Sequence, residues 1–148
     1  MKQIPTTKII NRCDWCGDDP LYQKYHDEEW GVPTFDDQTL FEFLILEGAQ
    51  AGLSWITVLR KRENYRKAFH QFNPEKIARY SENKIQRLKL DAGIIRNDLK
   101  IRSAVTNAQC YIELCNEKDS LSNYLWSFVE GKPIKNNWQS MKTIPANT

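Results

Sequence analysis

Long apolar runs and any large excess of one charge are both missing from this 148-residue sequence. No stretch approaches the roughly 18 consecutive apolar residues that a membrane-spanning helix requires. Residues 1–12 lack the apolar core of a secretion signal. The 21 basic and 19 acidic residues give a net charge of +2, whereas nucleic-acid-binding domains are usually more basic. We therefore expect a cytoplasmic protein without membrane contacts, in which any nucleic-acid contact comes from a local patch.

Cysteine and histidine are also scarce, with four cysteines and two histidines in the chain. Disulfides are uncommon in the cytoplasm, so we expect these cysteines to be metal ligands or reduced core residues. Cys13 and Cys16 have the Cys-x-x-Cys spacing of half a zinc site, and His26 follows them. A tetrahedral site needs four ligands, and no second Cys-x-x-Cys or His pair occurs downstream. By spacing alone, the metal pattern is therefore incomplete.

Strand patterns are absent too, and the sequence predicts an all-α fold. Apolar residues recur at helical spacing, and residues that favour helix starts precede the apolar segments at Asp36, Ser54, Asn73, Ser81 and Ser120. The helix that begins after Ser54 is expected to include Phe69. We divide the chain into a flexible N-terminal extension (1–11), one helical domain (12–131) and a polar tail (132–148).

The acidic residue Glu47 has Phe43, Leu44 and Ala51 as its neighbours on the predicted helix. A carboxylate on an apolar face is costly unless it meets a cation or several hydrogen-bond donors. One interpretation is a Glu near a helix end that bonds to an Arg or to nearby backbone. The other is a pocket for a flat cation, because aromatic rings attract cations and stack on nucleobases.

The aromatic residues close to Glu47 in sequence are Trp15, Tyr22, Tyr25, Trp30 and Trp55. Together they favour the pocket, although each ring alone could simply fill a small core.

Several segments of the chain together resemble one known family. They are residues 12–16 (RCDWC), 19–22 (DPLY), 25–27 (YHD), 29–33 (EWGVP), 46–59 (LEGAQAGLSWITVL), 61–66 (KRENYR), 91–96 (DAGIIR) and 125–129 (LWSFV). In these motifs, which are long and specific, the sequence is similar to the bacterial 3-methyladenine DNA glycosylase I family. The similarity runs from about Arg12 to the end of the chain.

The resemblance implies an all-α member of the helix-hairpin-helix DNA glycosylases and a set of site residues. By position, Glu47 resembles the active-site acid that hydrogen-bonds the flipped base. Tyr25 resembles its partner on the base edge, and Trp55 resembles the stacking platform. The remaining aromatic walls would be Trp15, Tyr22 and Trp30.

The resemblance also implies a structural zinc, with Cys13 and His26 as two of its four ligands and Cys16 not among them. Family members usually continue for a few tens of residues past the point where this sequence stops. That stretch contains the other two ligands, a His and a Cys. We therefore expect either a truncated chain or a zinc site that is absent or completed in another way.

A first DNA contact is predicted between Glu47 and Trp55. A glycosylase must take its target base out of the stack, and the gap is usually filled by an inserted side chain or loop. Gly52 and Leu53 are the candidates for this wedge. An ordinary turn before the next helix is an equally good interpretation of the same residues.

A second DNA contact is predicted at the hairpin around Gly93. Exposed amides beside a helix start can hold a phosphate, and Gly93 permits a tight bend. Arg96, Lys100 and Arg102 add positive charge nearby. With the resemblance, this segment is predicted to bind the DNA backbone.

The sequence thus predicts a base excision repair glycosylase that hydrolyses the N-glycosidic bond of 3-methyladenine in alkylated double-stranded DNA. Methylation at N3 gives the base a positive charge, so it already leaves readily. Asn97 stands where bifunctional relatives have a nucleophilic lysine, so water is the expected nucleophile. We expect a monomer that binds alkylated DNA and free 3-methyladenine. Two alternatives stay open: an inactive or truncated relative that binds DNA or modified base without turnover, and a small zinc-binding adaptor.

Overall fold

Eight α-helices make up most of the part of the chain that the structure describes. In the computed structural model, which describes residues 11–145, they are α1 (Pro20–Glu28), α2 (Asp37–Gln50), α3 (Trp55–Leu59), α4 (Arg62–Ala68), α5 (Pro74–Ile77), α6 (Glu82–Leu90), α7 (Asp98–Lys118) and α8 (Leu121–Ser127). No strand occurs among these residues, so the prediction of an all-α fold is confirmed. Residues 1–10, which form nearly all of the predicted N-terminal extension, lie outside the described residues.

Four of the five predicted helix starts have the expected side-chain cap. The capping residues of α2, α5, α6 and α8 are Asp36, Asn73, Ser81 and Ser120, and the side chain of each accepts a hydrogen bond from a first-turn amide. Ser54 occupies the cap position of α3, but its hydroxyl pairs with Thr57 Oγ1 at 2.8 Å instead. The prediction of one helix from Ser54 to Phe69 was wrong, because the chain turns after Leu59 and starts again as α4.

The core lies around α7, a helix of 21 residues that packs against α2, α5, α6 and α8. Its fully buried side chains come from the connecting segments as well as the helices: Phe41, Leu46, Val58, Phe69, Phe72, Ile77, Ile94 and Ile101. Burial of this apolar surface is the main force that holds the short helices together. Among the described residues, no helix is both long and apolar enough to cross a bilayer.

A buried group of charges joins α2 to α4 and to the residue after α1. Glu42 and Arg62 are only 7% and 8% exposed. Glu42 pairs with Arg62 Nε and accepts from Arg66 Nη2 at 2.8 Å. Arg62 Nη1 also donates to Glu29 Oε2 at 2.6 Å. Glu29 directly precedes Trp30 in the chain. These ion pairs therefore fix the backbone just before Trp30, one of the predicted aromatic residues of the pocket.

Candidate functional site

One cavity of about 250 Å³ brings together all six residues of the predicted base pocket. Its lining residues are Trp15, Tyr22, Tyr25, Trp30, Glu47, Gln50 and Trp55. They come from the short 3-10 turn before α1, from α1 and the second residue beyond it, from the last turns of α2 and from the first residue of α3. The volume lies just below the range of about 300–1,000 Å³ that is usual for small-molecule sites. A single flat heterocycle is therefore a suitable occupant.

The aromatic rings form a connected wall rather than a set of separate core fillers. The ring centroid of Trp15 lies 4.9 Å from that of Tyr22 and 5.2 Å from that of Trp30. Tyr25 and Trp55 lie 5.4 Å apart. Trp30 is 49% exposed, whereas Tyr25 and Trp55 are buried, so the wall runs from the mouth of the cavity to its floor. Such faces can stack on a planar ring and attract a cation.

Glu47 lies at this wall with no hydrogen-bond or ion-pair partner among residues 11–145. The interpretation as a helix-end Glu bonded to an Arg or to backbone is therefore not the arrangement in this structure. Although Glu47 lies beside apolar neighbours on α2, it is exposed. The aromatic surroundings nevertheless remove part of its hydration, and this raises the pKa of the Glu47 carboxyl above its ordinary value. It stays an acceptor that no other group in the described chain uses.

Tyr25 supplies a donor close to this acceptor. Burial, followed by the negative charges of Glu47 and Glu29, raises the pKa of the Tyr25 hydroxyl to about 12. The hydroxyl therefore keeps its proton at neutral pH and can donate a hydrogen bond. A carboxylate acceptor and a phenolic donor in one aromatic cavity match a heterocycle with an amino group beside a ring nitrogen.

Two polar groups of the cavity were not predicted from the sequence. Gln50 lines it together with Glu47, and their spacing of three residues on α2 was a signal that could have revealed this. The Nε1–H of Trp55 is buried and has no acceptor among the described residues. Buried donors are nearly always paired, so this N–H is an exception within the described residues.

A larger cavity of about 410 Å³ shares Tyr25 but has a different character. Most of its lining is charged: Lys24, Glu28, Glu29, Arg62, Glu63 and Arg66. These side chains pair with one another or with Glu42. With its charges satisfied internally, this cavity is a less suitable binding site than the aromatic one.

Cys13 and His26, the two predicted zinc ligands, lie side by side at the back of the aromatic wall. The amide of Cys13 donates to His26 Nε2 at 3.2 Å, and His26 Nδ1 lies 3.0 Å from Asp27 Oδ1. No group of three or more His, Cys, Asp or Glu side chains arranged to hold a metal occurs in residues 11–145. The described residues therefore do not provide a complete zinc site. The His26 ring instead stacks on Trp30, with centroids 5.4 Å apart, and so supports the wall.

Gly52 and Leu53, the predicted wedge, form a tight turn after α2. The amide of Leu53 donates to the carbonyl of Gln50 at 2.6 Å, and Gly52 has a φ of +76°. With Ala51 at φ −42° and ψ 117°, this is a type II turn, in which glycine is favoured at the third position. Leu53 is the last residue of the turn, and its side chain is 41% exposed. The segment is therefore a regular turn that also presents the apolar side chain of Leu53 beside the cavity.

Gly93 lies in the hairpin between α6 and α7, but the reason for glycine there differs from the one predicted. A Cβ at this position would lie 2.9 Å from Asp91 Oδ1 and 3.1 Å from Asn64 Cβ. Close approach to α4, rather than a special bend, therefore requires glycine. The Gly93 amide donates to Asp91 Oδ1 at 2.8 Å, and the Ile95 amide donates to the Tyr65 hydroxyl at 3.2 Å. These two amides are bonded within the chain.

The three cations predicted near the hairpin have different environments. Arg102 pairs with Glu82 and Asp98, so its charge is largely neutralised. Lys100 donates to backbone carbonyls at the end of α2. Arg96 is exposed and makes no side-chain hydrogen bond or ion pair within residues 11–145. It is the member of the three that is best placed to meet a phosphate.

Comparison with known proteins gives consistent matches. A family model described as methyladenine glycosylase matches residues 15–148. DNA-3-methyladenine glycosylase 1 of Escherichia coli (strain K12) is 48% identical over 139 residues, which are 94% of this chain and 74% of that protein. A crystal structure of 3-methyladenine DNA glycosylase I superposes with a TM-score of 0.88 at 50% identity, covering 91% of this chain and 74% of that one.

A structure that gives the basis of 3-methyladenine recognition by the Staphylococcus aureus 3-methyladenine DNA glycosylase I also matches. Its TM-score is 0.80 at 42% identity, and the match covers 83% of this chain and 65% of that one.

Proposed function

The chain belongs to the methyladenine glycosylase family, and from that premise we propose that it releases 3-methyladenine from alkylated DNA as a step of base excision repair. The reaction is hydrolysis of the N-glycosidic bond between the damaged base and its deoxyribose. Free 3-methyladenine is the product and also a ligand of the same cavity.

The observation that best supports this function is the aromatic cavity with an unpaired carboxylate at its wall. Trp15, Tyr22 and Trp30 provide faces, while Glu47 and Tyr25 provide an acceptor and a donor. The exocyclic amine of 3-methyladenine would donate to Glu47, and a ring nitrogen would accept from the Tyr25 hydroxyl. Trp55 would be the ring on which the extruded base stacks.

In DNA, methylation at N3 makes the base cationic, so the carboxylate and the rings favour it over an undamaged adenine. When the glycosidic bond breaks, its electron pair leaves with the base, which thereby loses its positive charge. The sugar develops oxocarbenium character, and water adds at the same carbon and releases one proton to the solvent. Glu47 then serves recognition rather than proton transfer.

We propose further that α6, the hairpin and α7 act as a helix-hairpin-helix element that holds the DNA backbone, with Arg96 facing a phosphate. Leu53 enters the gap left by the extruded base. Water is proposed as the nucleophile, because Asn97 stands where bifunctional relatives have a lysine and has no amine that could attack the sugar. Borohydride trapping of a covalent protein–DNA adduct would contradict this last point.

Zinc stays a prediction for this chain. Cys13 and His26 provide two adjacent ligands, and no step of the proposed reaction uses a metal. Metal analysis of the purified protein after dialysis tests it, with Cys13→Ser as the variant that should lose the ion. A monomeric state and a cytoplasmic location also stay predictions, and light scattering checks the first.

The decisive experiment incubates the chain with DNA that contains labelled 3-methyladenine and follows release of the free base by chromatography. Catalytic release supports the proposal, and it should be lost when both Glu47 and Tyr25 are replaced, by Gln and Phe. Binding of the base or the DNA without release would indicate the alternative of a relative without turnover. If the chain neither binds nor releases the base, the proposal is wrong.

A further inference from the structure

Lys100 occupies a position where a cation is unfavourable for its own helix. It lies in the first turn of α7, and its amide donates to the capping side chain of Asn97 at 3.1 Å. The first turn of a helix is the positive end of its dipole, so acidic residues are preferred there. A lysine at this point needs a compensating partner elsewhere.

The partner is the end of α2. Lys100 Nζ donates to the carbonyl of Ala49 at 2.8 Å and to the carbonyl of Ala51 at 2.7 Å. The last carbonyls of a helix have no partner within the helix, and a lysine is one way to satisfy them. Here the lysine comes from a residue about fifty positions away in the sequence, on the helix that follows the hairpin.

These two bonds lie beside the residues that define the cavity. Glu47 and Gln50 belong to the last turns of α2, and the turn that presents Leu53 begins at Ala51. No other side-chain hydrogen bond within residues 11–145 reaches the carbonyls of Ala49 and Ala51. The Lys100 ammonium is therefore the contact that ties the end of α2 to the hairpin side of the molecule.

We propose that Lys100 is a positioning residue for the base cavity and not a contact to the DNA backbone. By holding the end of α2 it fixes Glu47 and Gln50 in the cavity wall and Leu53 at its mouth. To reach a phosphate, Lys100 would have to break both carbonyl bonds, whereas Arg96 in the preceding hairpin breaks none. The inference rests on the proposed function for its ligand, 3-methyladenine.

The test separates positioning from phosphate binding by two readouts on Lys100→Met. The first is the Kd for free 3-methyladenine by calorimetry, which contains no phosphate. It should rise by about tenfold, in line with the loss of charged hydrogen bonds. The second is the slope of the logarithm of DNA affinity against the logarithm of salt concentration. Loss of one phosphate contact would reduce the magnitude of this slope by about 0.9. Because a positioning residue makes no such contact, the slope should not change.

Two matched variants calibrate these readouts. Arg96→Met should lower the salt slope by about 0.9 and leave the Kd for free base unchanged. Lys100→Arg should restore base binding, since a guanidinium can also donate to two carbonyls. Amide hydrogen exchange of Leu53 and of the last turn of α2 should quicken by about tenfold in Lys100→Met and stay slow in Lys100→Arg.

A lowered salt slope in Lys100→Met would overturn the inference, and so would an unchanged Kd for the free base. If the parent chain itself binds no 3-methyladenine, the proposed function fails. The hydrogen-exchange comparison then tests by itself whether Lys100 holds the end of α2. Unchanged exchange in Lys100→Met refutes that role. Unfolding of Lys100→Met would be seen as exchange throughout the core, and Lys100→Gln, which keeps a neutral donor without the charge, then takes its place in the same readouts.

Discussion

Replacing Glu47 by Gln removes a charge from the cavity wall while leaving the size of the side chain almost unchanged. Glu47 is exposed and unpaired within the described residues, so nothing in the fold depends on its charge. The free energy of unfolding should therefore change by less than about 0.5 kcal/mol, as for most surface substitutions. The effect should fall entirely on ligand binding.

The size of that effect follows from the two kinds of hydrogen bond. A hydrogen bond to a charged group contributes about 1.5–3 kcal/mol and one between neutral groups about 0.5–1.5 kcal/mol. Because Glu47 is exposed, the difference is taken at the lower end, about 1 kcal/mol. This corresponds to a roughly fivefold rise in the Kd for free 3-methyladenine, measured by calorimetry at pH 7.

Glu42, five residues earlier on the same helix, provides the matched control. Its carboxylate is buried and holds Arg62 and Arg66, so Glu42→Gln should cost about 3 kcal/mol of stability. That loss should lower the melting temperature by roughly 6–12 °C. The reasoning is refuted if Glu47→Gln lowers the melting temperature to a similar extent, or if it binds the base as tightly as the parent chain.

Three further substitutions have defined outcomes. Gly93→Ala should destabilise the chain by about 1–2 kcal/mol in urea denaturation, because its Cβ would crowd α4; Gly48→Ala, with open space, should not. Leu53→Ala should leave the Kd for free base unchanged but slow excision from double-stranded DNA more than from single-stranded DNA, and equal slowing would count against the wedge. Arg102 lowers the pKa of Glu82 to about 2, so the loss of melting temperature in Arg102→Met should be full above pH 4.5 and vanish as pH falls towards 2. A pH-independent loss would show that the Glu82 pair contributes nothing.

The helix starts and the aromatic cavity could be predicted because both depend on residues close together in sequence. A cap bonds to an amide two or three positions away, as at Asp36. The cavity is built by α1, the end of α2 and the start of α3, so its residues lie within about forty positions. The resemblance implies their roles, and the spacing of Gln50 three residues after Glu47 on α2 is a further local signal.

The features that could not be predicted depend on contacts between parts of the chain that are distant in sequence. Arg62 meets Glu42 and Glu29 across 20 and 33 positions, and no local pattern indicates those pairs. The exposure of Glu47 likewise depends on what packs above its helix. His70, Gln71 and Phe72 adopt left-handed φ values of 52–56° without a glycine, which local preferences argue against. Burial of Phe69, just before these residues, and of Phe72 itself compensates for the strain.

Three of the five tryptophans of the chain, Trp15, Trp30 and Trp55, lie in the wall of one cavity. Trp126 lies elsewhere, stacked on Phe35, and Trp138 is 45% exposed. A purine that enters the cavity would therefore alter most of the intrinsic fluorescence of the protein at once. Occupancy can then be followed in real time without a label, and substitution of one indole at a time would report which ring the ligand reaches first.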